Sequence, residues 1–220
     1  MPVLTVASSK GGPGKTTVAM LLAGALAAEG TRVALLDADP TQALSRWAAN
    51  AYEGPPMDVV AEAEETRLAH LIAGKADTAD LVLVDTAGFG NRAATVAMTS
   101  ADAVLVPALA GEADITEAEK TVRLVEGLAR AARRDIPARV LANRVKRTGL
   151  ARHAAQELAS AGLPRLDASL SDLVAYGELS YSGRVPTAGP AASELAALVA
   201  ELRGLGWLPP ALARREDAPA

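Results

Sequence analysis

The sequence predicts an α/β fold: a doubly wound, mostly parallel sheet with helices on both faces. Three observations lead there. Short, continuous apolar runs recur along the chain, as in strands covered on both faces. Between them lie stretches with apolar residues at i, i+3 and i+4 spacing. Asp37, Asp39 and Asp85 stand at or just beyond the ends of apolar runs, where ligands sit in such sheets. Half of the 220 residues are apolar and 22% are charged, enough apolar material for a sizeable core and too much for a disordered chain. Aromatics are only 3% while alanines number 50, so the core is expected to be aliphatic and its helices rich in alanine.

The strands are expected at 3–8, 32–37, 58–61, 81–85, 103–107, 138–143 and 165–169. The first helix is marked by Val18, Leu21, Leu22, Ala25 and Leu26, with Gly30 where a helix should stop. Further helical patterns cover 41–51, 66–74, 91–100, 114–134, 148–161 and 191–204. One domain is expected over 1–207, with a loose Pro-containing tail over 208–220.

Composition excludes several chemistries. The chain has no cysteine, which rules out disulfide frameworks, zinc ribbons, cysteine-ligated iron–sulfur clusters and thiol catalysis. His70 and His153 lack partners at metal-ligand spacing. No apolar run approaches the ~20 residues of a spanning helix, and the first residues lack the basic start of a secretory signal. A cytoplasmic protein is therefore expected. The net charge of −4 hides a basic stretch: residues 130–152 sum to +7.

The strongest motif is Lys10-Gly11-Gly12-Pro13-Gly14-Lys15-Thr16-Thr17, placed between the first strand and the first helix. Glycines let successive backbone N–H groups curl towards a polyphosphate, and the helix start adds its positive dipole end. Lys15 is positioned to reach the β- and γ-phosphates and the Thr16 hydroxyl to meet Mg²⁺. Ser9 replaces the usual first glycine, and Pro13 removes one N–H donor. Leu81–Asp85 is an apolar run ending in an acid, so Asp85 is a candidate Mg²⁺ ligand; Gly88 completes D-x-x-G, whose backbone can sense a γ-phosphate. Asp37 and Asp39 lie in Leu35-Leu36-Asp37-Ala38-Asp39-Pro40. Asp39 also suits a helix cap, with Pro40 at the first helical position.

Together, K-G-G-x-G-K-T-T, D-x-D-P and the D-x-x-G run resemble the deviant Walker A ATPases of the ParA/MinD group, over nearly the whole chain. The resemblance implies that Lys10 reaches across a homodimer interface to the partner's nucleotide, much as an arginine finger does; the plainer alternative is that it raises local potential. It implies that Asp39 orients the attacking water and that Asp37 supports Mg²⁺. Asn143 resembles the family's adenine-reading residue, the alternative being a strand-end cap. The absence of N-K-x-D favours ATP over GTP. Gly183-Arg184-Val185-Pro186 resembles the segment that packs against the base. Asp114-Ile115 resembles a pair that follows the fifth strand, though Asp114 equally suits a cap of the 114–134 helix. Trp47 follows the D-x-D-P run at the spacing of short members. The chain departs from the family in reading Asp39-Pro40-Thr41-Gln42 instead of D-P-Q-G.

The resemblance implies an ATP-dependent, Mg²⁺-dependent dimeric switch of slow, partner-stimulated ATPase activity. Such a switch partitions or positions a cargo and is nucleoid-associated in its ATP state. Its partners are non-specific duplex DNA and a ParB-like or cargo-linked stimulating protein. Arg144, Lys146, Arg147 and Arg152 are the candidate DNA contacts, against the alternative of a solvated basic face. No basic amphipathic membrane helix closes the chain, and no helix-turn-helix precedes the first motif, so neither membrane nor operator binding is expected. The alternatives are a non-catalytic ATP-bound adaptor in conjugative transfer or envelope assembly, or a MinD-like positioning ATPase.

Overall fold

The computed structural model describes residues 2–88, 90–146, 160 and 162–211. Seven strands form one all-parallel sheet in the order β3-β2-β4-β1-β5-β6-β7. They are β1 (Val3–Val6), β2 (Val33–Ala38), β3 (Asp58–Ala61), β4 (Leu81–Thr86), β5 (Ala103–Ala108), β6 (Ala138–Val145) and β7 (Arg165–Ser171). The described helices are α1 (Lys15–Ala28), α2 (Ala43–Asn50), α3 (Glu65–Ala76), α4 (Arg92–Ser100), α5 (Glu112–Ala132), α6 (Val174–Ser182) and α7 (Gly189–Gly204). The expected helix at 148–161 falls almost wholly outside the described residues.

Side-chain alternation divides the core into two layers. On β4, Leu81 and Leu83 join α1, α2, α6 and α7 on one face of the sheet. Val82 and Val84 point to the opposite face, which α3 and α4 cover; α5 covers the same side over β5 and β6. The central strands are buried end to end, which is why they read as unbroken apolar runs. The chain leaves β1 towards β2 on one side and leaves β5 towards β6 on the other. This reversal makes a crevice at the C-terminal strand ends beside β1.

Trp47 acts as a pin between elements. Its ring is buried, stacks at 4.9 Å on Tyr52, and its Nε1 donates to the Leu179 carbonyl at 2.8 Å. Gly183 sits at φ 66, and a Cβ there would meet the Ala51 carbonyl oxygen at 1.7 Å, so only glycine fits this crossing. The sequence reading missed α6. Its mean apolarity is high, but its apolar residues do not gather on one stripe, so no 3.6-residue signal announces it. The expected tail begins differently: Trp207 and Leu208 are buried in the main core, and the Pro209 carbonyl accepts from Arg203 at 3.0 Å.

The edge strand β7 is blunted by carboxylates from α7. Glu201 accepts from the Asp167 and Ala168 N–H groups at 2.9 and 2.7 Å. One heptad earlier, Glu194 accepts from the Ser171 N–H at 2.8 Å, the Ser171 hydroxyl at 2.6 Å and the Tyr176 hydroxyl at 3.0 Å. Donors that would otherwise template another strand are thereby occupied. Glu194→Ala is expected to lower the unfolding free energy by about 2–3 kcal/mol, read by urea denaturation. A change inside experimental error would show that water replaces these bonds without cost.

Candidate functional site

Residues 9–14 link β1 to α1 and wrap the start of the helix. Gly12 and Gly14 have φ of 96 and 90, in the left-handed region that glycine tolerates. This is the physical need behind the glycine-rich spelling. Buried Pro13 is held from above: Asn143 Nδ2 donates to its carbonyl at 2.7 Å, while Asn143 Oδ1 accepts from the Arg144 N–H at 2.9 Å. A Cβ at Gly14 would lie 2.4 Å from Asn143 Nδ2. Asn143 is thus a clamp on the loop. It retains one amide hydrogen and one oxygen lone pair for a ligand.

The loop's first residues are tied to α5. The Ser9 N–H donates to the Thr121 hydroxyl at 2.9 Å, and the Ser9 hydroxyl donates to the Glu117 carboxylate at 2.7 Å. A glycine at position 9 could not make the second bond. Lys10 Nζ meets Asp114 Oδ1 at 3.1 Å across a half-exposed contact. Asp114 lies in the first turn of α5 but does not cap it, since Gly111 is the cap residue and no side-chain bond is made there. Lys15 Nζ folds back to the Lys10 carbonyl at 3.1 Å. Burial lowers its pKa, and the nearby Asp85 and Asp39 partly restore it.

Asp85 ends β4 directly opposite Asp37 in the β2–β4 register. Its side chain is wholly buried, and neither carboxylate oxygen has a hydrogen-bond partner. Burial pushes its pKa up to about 7, with Asp37 and Asp39 adding to the shift and the Thr16 hydroxyl and Lys15 opposing it. Asp37 is equally buried, but both of its oxygens accept hydrogen bonds. Its Oδ1 accepts from the Asp39 N–H at 3.2 Å, and its Oδ2 accepts from the Ser45 N–H at 2.8 Å.

Asp37, not Asp39, therefore ties down the start of α2. That helix begins at Ala43, after a turn in which Asp39 Oδ1 accepts from the Thr41 N–H at 2.8 Å. The expected arrangement of Asp39 as cap and Pro40 as first helical residue gives way because residues 39–42 form a separate turn, with Gln42 at φ 52, and the Asp37 carboxylate takes the Ser45 N–H in the first turn of the helix. Each Asp37 oxygen keeps one lone pair beyond these bonds. Gln42 stands at φ 52 in this turn, where the family's glycine would carry no strain.

A cleft of about 630 Å³ opens between these parts. Gly11, Gly12, Gly14, Lys15, Thr16, Thr17, Asp39, Gly88, Asn143 and Arg144 line it from the side of the phosphate loop. Gly88 packs its Cα against the backbone of Gly11 and Lys10. The opposite wall was not expected from the sequence: Ser171 to Val174, Tyr176 and Gly177, at the end of β7 and the start of α6. Exposed Val174 offers an apolar contact there.

The segment expected against a base, Arg184 to Pro186, does not line this cleft. Arg184 pairs with Glu53 at 2.7 Å, and Val185 lies beside Gly24 on α1. Of the expected DNA contacts, Arg144 pairs with Asp172 at 3.3 Å and Lys146 is exposed, while Arg147 and Arg152 lie outside the described residues. His70 is exposed on α3; His153 is also outside the described residues.

The donor set fits a Mg²⁺–nucleoside triphosphate. A buried, unpartnered carboxylate and an adjacent hydroxyl face a glycine-rich loop, and Mg²⁺ ordinarily takes one or two protein oxygens plus phosphates and waters. Asp85 also carries a pH signature. Because its folded pKa lies above the unfolded value, the unfolded chain holds fewer protons than the folded one between about pH 4 and 7. Stability of the ligand-free chain should fall as pH rises through that window. Asp85→Asn is expected to flatten the fall and to stabilise the ligand-free chain at pH 8 by about 1–3 kcal/mol, read by denaturant titration at several pH values. An unchanged pH profile would mean that Asp85 is not the group responsible.

The model of the VirC1 protein family matches residues 1–199. Protein virC1 of Rhizobium rhizogenes is 39% identical over 150 residues, covering 66% of this chain and 65% of that protein. The match thus spans just under two thirds of that relative's length. Maintenance of carboxysome distribution protein A of Gloeobacter kilaueensis is 32% identical over 189 residues, covering 82% of each chain. Among solved structures, the Cyanothece McdA(D38A)–ATP complex superposes with a TM-score of 0.76 at 16% identity, over 97% of this chain and 99% of that one. The chain belongs to the VirC1 family, within the ParA/MinD-type P-loop ATPases.

Proposed function

We propose that this chain is an ATP- and Mg²⁺-dependent dimeric switch that positions or partitions a cargo. In its ATP-joined form it binds duplex DNA without sequence preference, and it hydrolyses ATP slowly until a partner protein stimulates it. The observation that carries this reading is the meeting of three features at one strand end: a curled phosphate loop, a buried carboxylate with no partner, and two lysines. The relatives support it, since one is named for distributing carboxysomes and a fold neighbour was solved with ATP.

Each residue then has a task. Backbone N–H groups of Gly11, Gly12 and Gly14 to Thr17 donate to phosphate oxygens, helped by the α1 dipole. Lys15 exchanges the Lys10 carbonyl for the β- and γ-phosphates. The Thr16 hydroxyl and Asp85 would hold Mg²⁺, which when bound would neutralise charge on the phosphates. Asp39 orients the attacking water; Asp37 braces the turn that carries it. Gly88 presents its N–H near the γ-phosphate. Asn143 keeps the loop in shape and offers its remaining hydrogen-bonding groups to adenine.

Lys10 reaches the partner subunit's nucleotide. Its pairing with Asp114 does not oppose this strongly, because a half-exposed ion pair contributes no more than about 1 kcal/mol, whereas a phosphoryl group gathers several negative oxygens. Dimerisation places basic side chains of two copies on one surface. Arg144, Lys146, Arg147 and Arg152 supply the DNA contacts by this reading, and binding should weaken steeply with salt.

Lys15→Ala should abolish ATP binding in equilibrium titrations. Lys10→Ala should keep ATP affinity within about threefold but lose the dimer that wild type forms with a slowly cleaved ATP analogue, measured by light scattering on a sizing column. A Lys10→Ala chain that still dimerises would refute the trans role. Phosphate release that responds to neither duplex DNA nor a partner would favour the non-catalytic adaptor.

A further inference from the structure

The basic stretch at 130–152 does not form one surface. β6, an eight-residue strand roughly 25 Å long, divides it. Arg144 and Lys146 lie at its C-terminal end, beside the nucleotide cleft. Arg130, Arg133, Arg134 and Arg139 lie around its other end, with Arg165 next to them on β7.

There, the last turn of α5 and the entry to β6 enclose a groove of about 590 Å³. Its floor is apolar: Val122, Ala129, Ile136, Pro137, Ala138 and Pro164. Arginines form the rim, accompanied by Glu126 and Asp135. Arg134 is committed, bonding Asp102 at 3.0 Å and the Thr99 carbonyl at 2.9 Å. Arg130 reaches Glu126 only at 3.7 Å, an exposed and weak contact. Arg139 donates to the Arg165 carbonyl at 3.2 Å. Among the described residues, the Arg133 side chain has no hydrogen bond or ion pair.

Arg133 is also strained. It ends α5 at φ 53, the left-handed position where helices usually place glycine. Only two other non-glycine residues among those described have positive φ: Arg144, which lines the nucleotide cleft, and Gln42, in the turn that follows the cleft residue Asp39. Strained residues gather at functional sites. At position 133 a long cationic side chain stands where glycine would fit better, and it has no hydrogen bond or ion pair among the described residues.

We propose that this groove docks an acidic, partly apolar peptide segment of a partner protein. Guanidinium forks match carboxylates in two-bond geometry, and the floor suits aliphatic side chains interspersed among the acids. A DNA backbone would engage the rim and leave the floor uncovered. The groove lies at the opposite end of the sheet from the phosphate loop, so its occupant and a nucleotide do not compete. The inference therefore stands apart from the ATP-dependent reading.

Fluorescence anisotropy tests it with three labelled probes: a short peptide alternating Glu and Leu, its Gln-for-Glu analogue, and a short DNA duplex. The acidic peptide should bind and the neutral analogue should not. Arg133→Gly should raise Tm, because it relieves the strain, yet weaken the acidic peptide about tenfold. Arg123→Ala, which removes the same charge elsewhere on α5, should leave peptide binding unchanged, as should Lys15→Ala. The proposal is overturned by equal binding of the neutral peptide, by an equal loss with Arg123→Ala, by no peptide binding at all, or by duplex binding that depends on Arg133 in place of peptide binding.

Discussion

A carboxylate with nothing to bond, Asp85, is the constraint around which the site is arranged. Burying it in an aliphatic sheet is unfavourable, and burial raises its pKa to about 7. Nearby Lys15 is also buried, and its pKa is lowered. Two opposite charges are therefore each held in poor surroundings within electrostatic reach of one another, without a direct hydrogen bond. In the proposed reading, a metal–phosphate group relieves both at once. Stability is given up at one strand end for affinity towards a ligand.

The polar groups around that centre are used differently. Asp37 and Asn143 are as buried as Asp85, but their bonds go to backbone. Asp37 shapes the turn before α2, and Asn143 fixes the phosphate loop through Pro13. Each turns a flexible connection into a defined surface. Ser9 extends the same logic to α5 through Glu117 and Thr121. α5 is 21 residues long, about 31 Å, and its far end carries the arginine groove. One rigid element thus touches both the phosphate loop and a basic surface remote from it.

The positions of the strands along the chain, their apolar continuity and the phosphate loop were legible in the sequence because each depends on local chemistry. A strand covered on both faces must be apolar throughout, and a loop with positive φ must contain glycine. The same reasoning located Asp85, since an acid ending such a strand has few structural excuses. α6 left no trace because its exposed face also carries apolar side chains, Val174 and Tyr181, so no stripe separates it from the face that buries Tyr176 and Leu179. The second wall of the cleft was hidden with it.

Sequence alone determined the fold class, the family and the local geometry of Gly12, Gly14, Lys15 and Thr16, because spacing along one segment sets it; it also marked Asp85, by the apolar run before it. Tertiary structure decided what depends on distant segments meeting: that Asp37 braces a turn, that Asn143 grips Pro13, that Lys10 rests on Asp114, and that Arg184 pairs with Glu53. It also divided a single run of positive charge into two surfaces. A strand carries its ends to opposite sides of a sheet, and counting charges along a chain cannot show which side each one reaches.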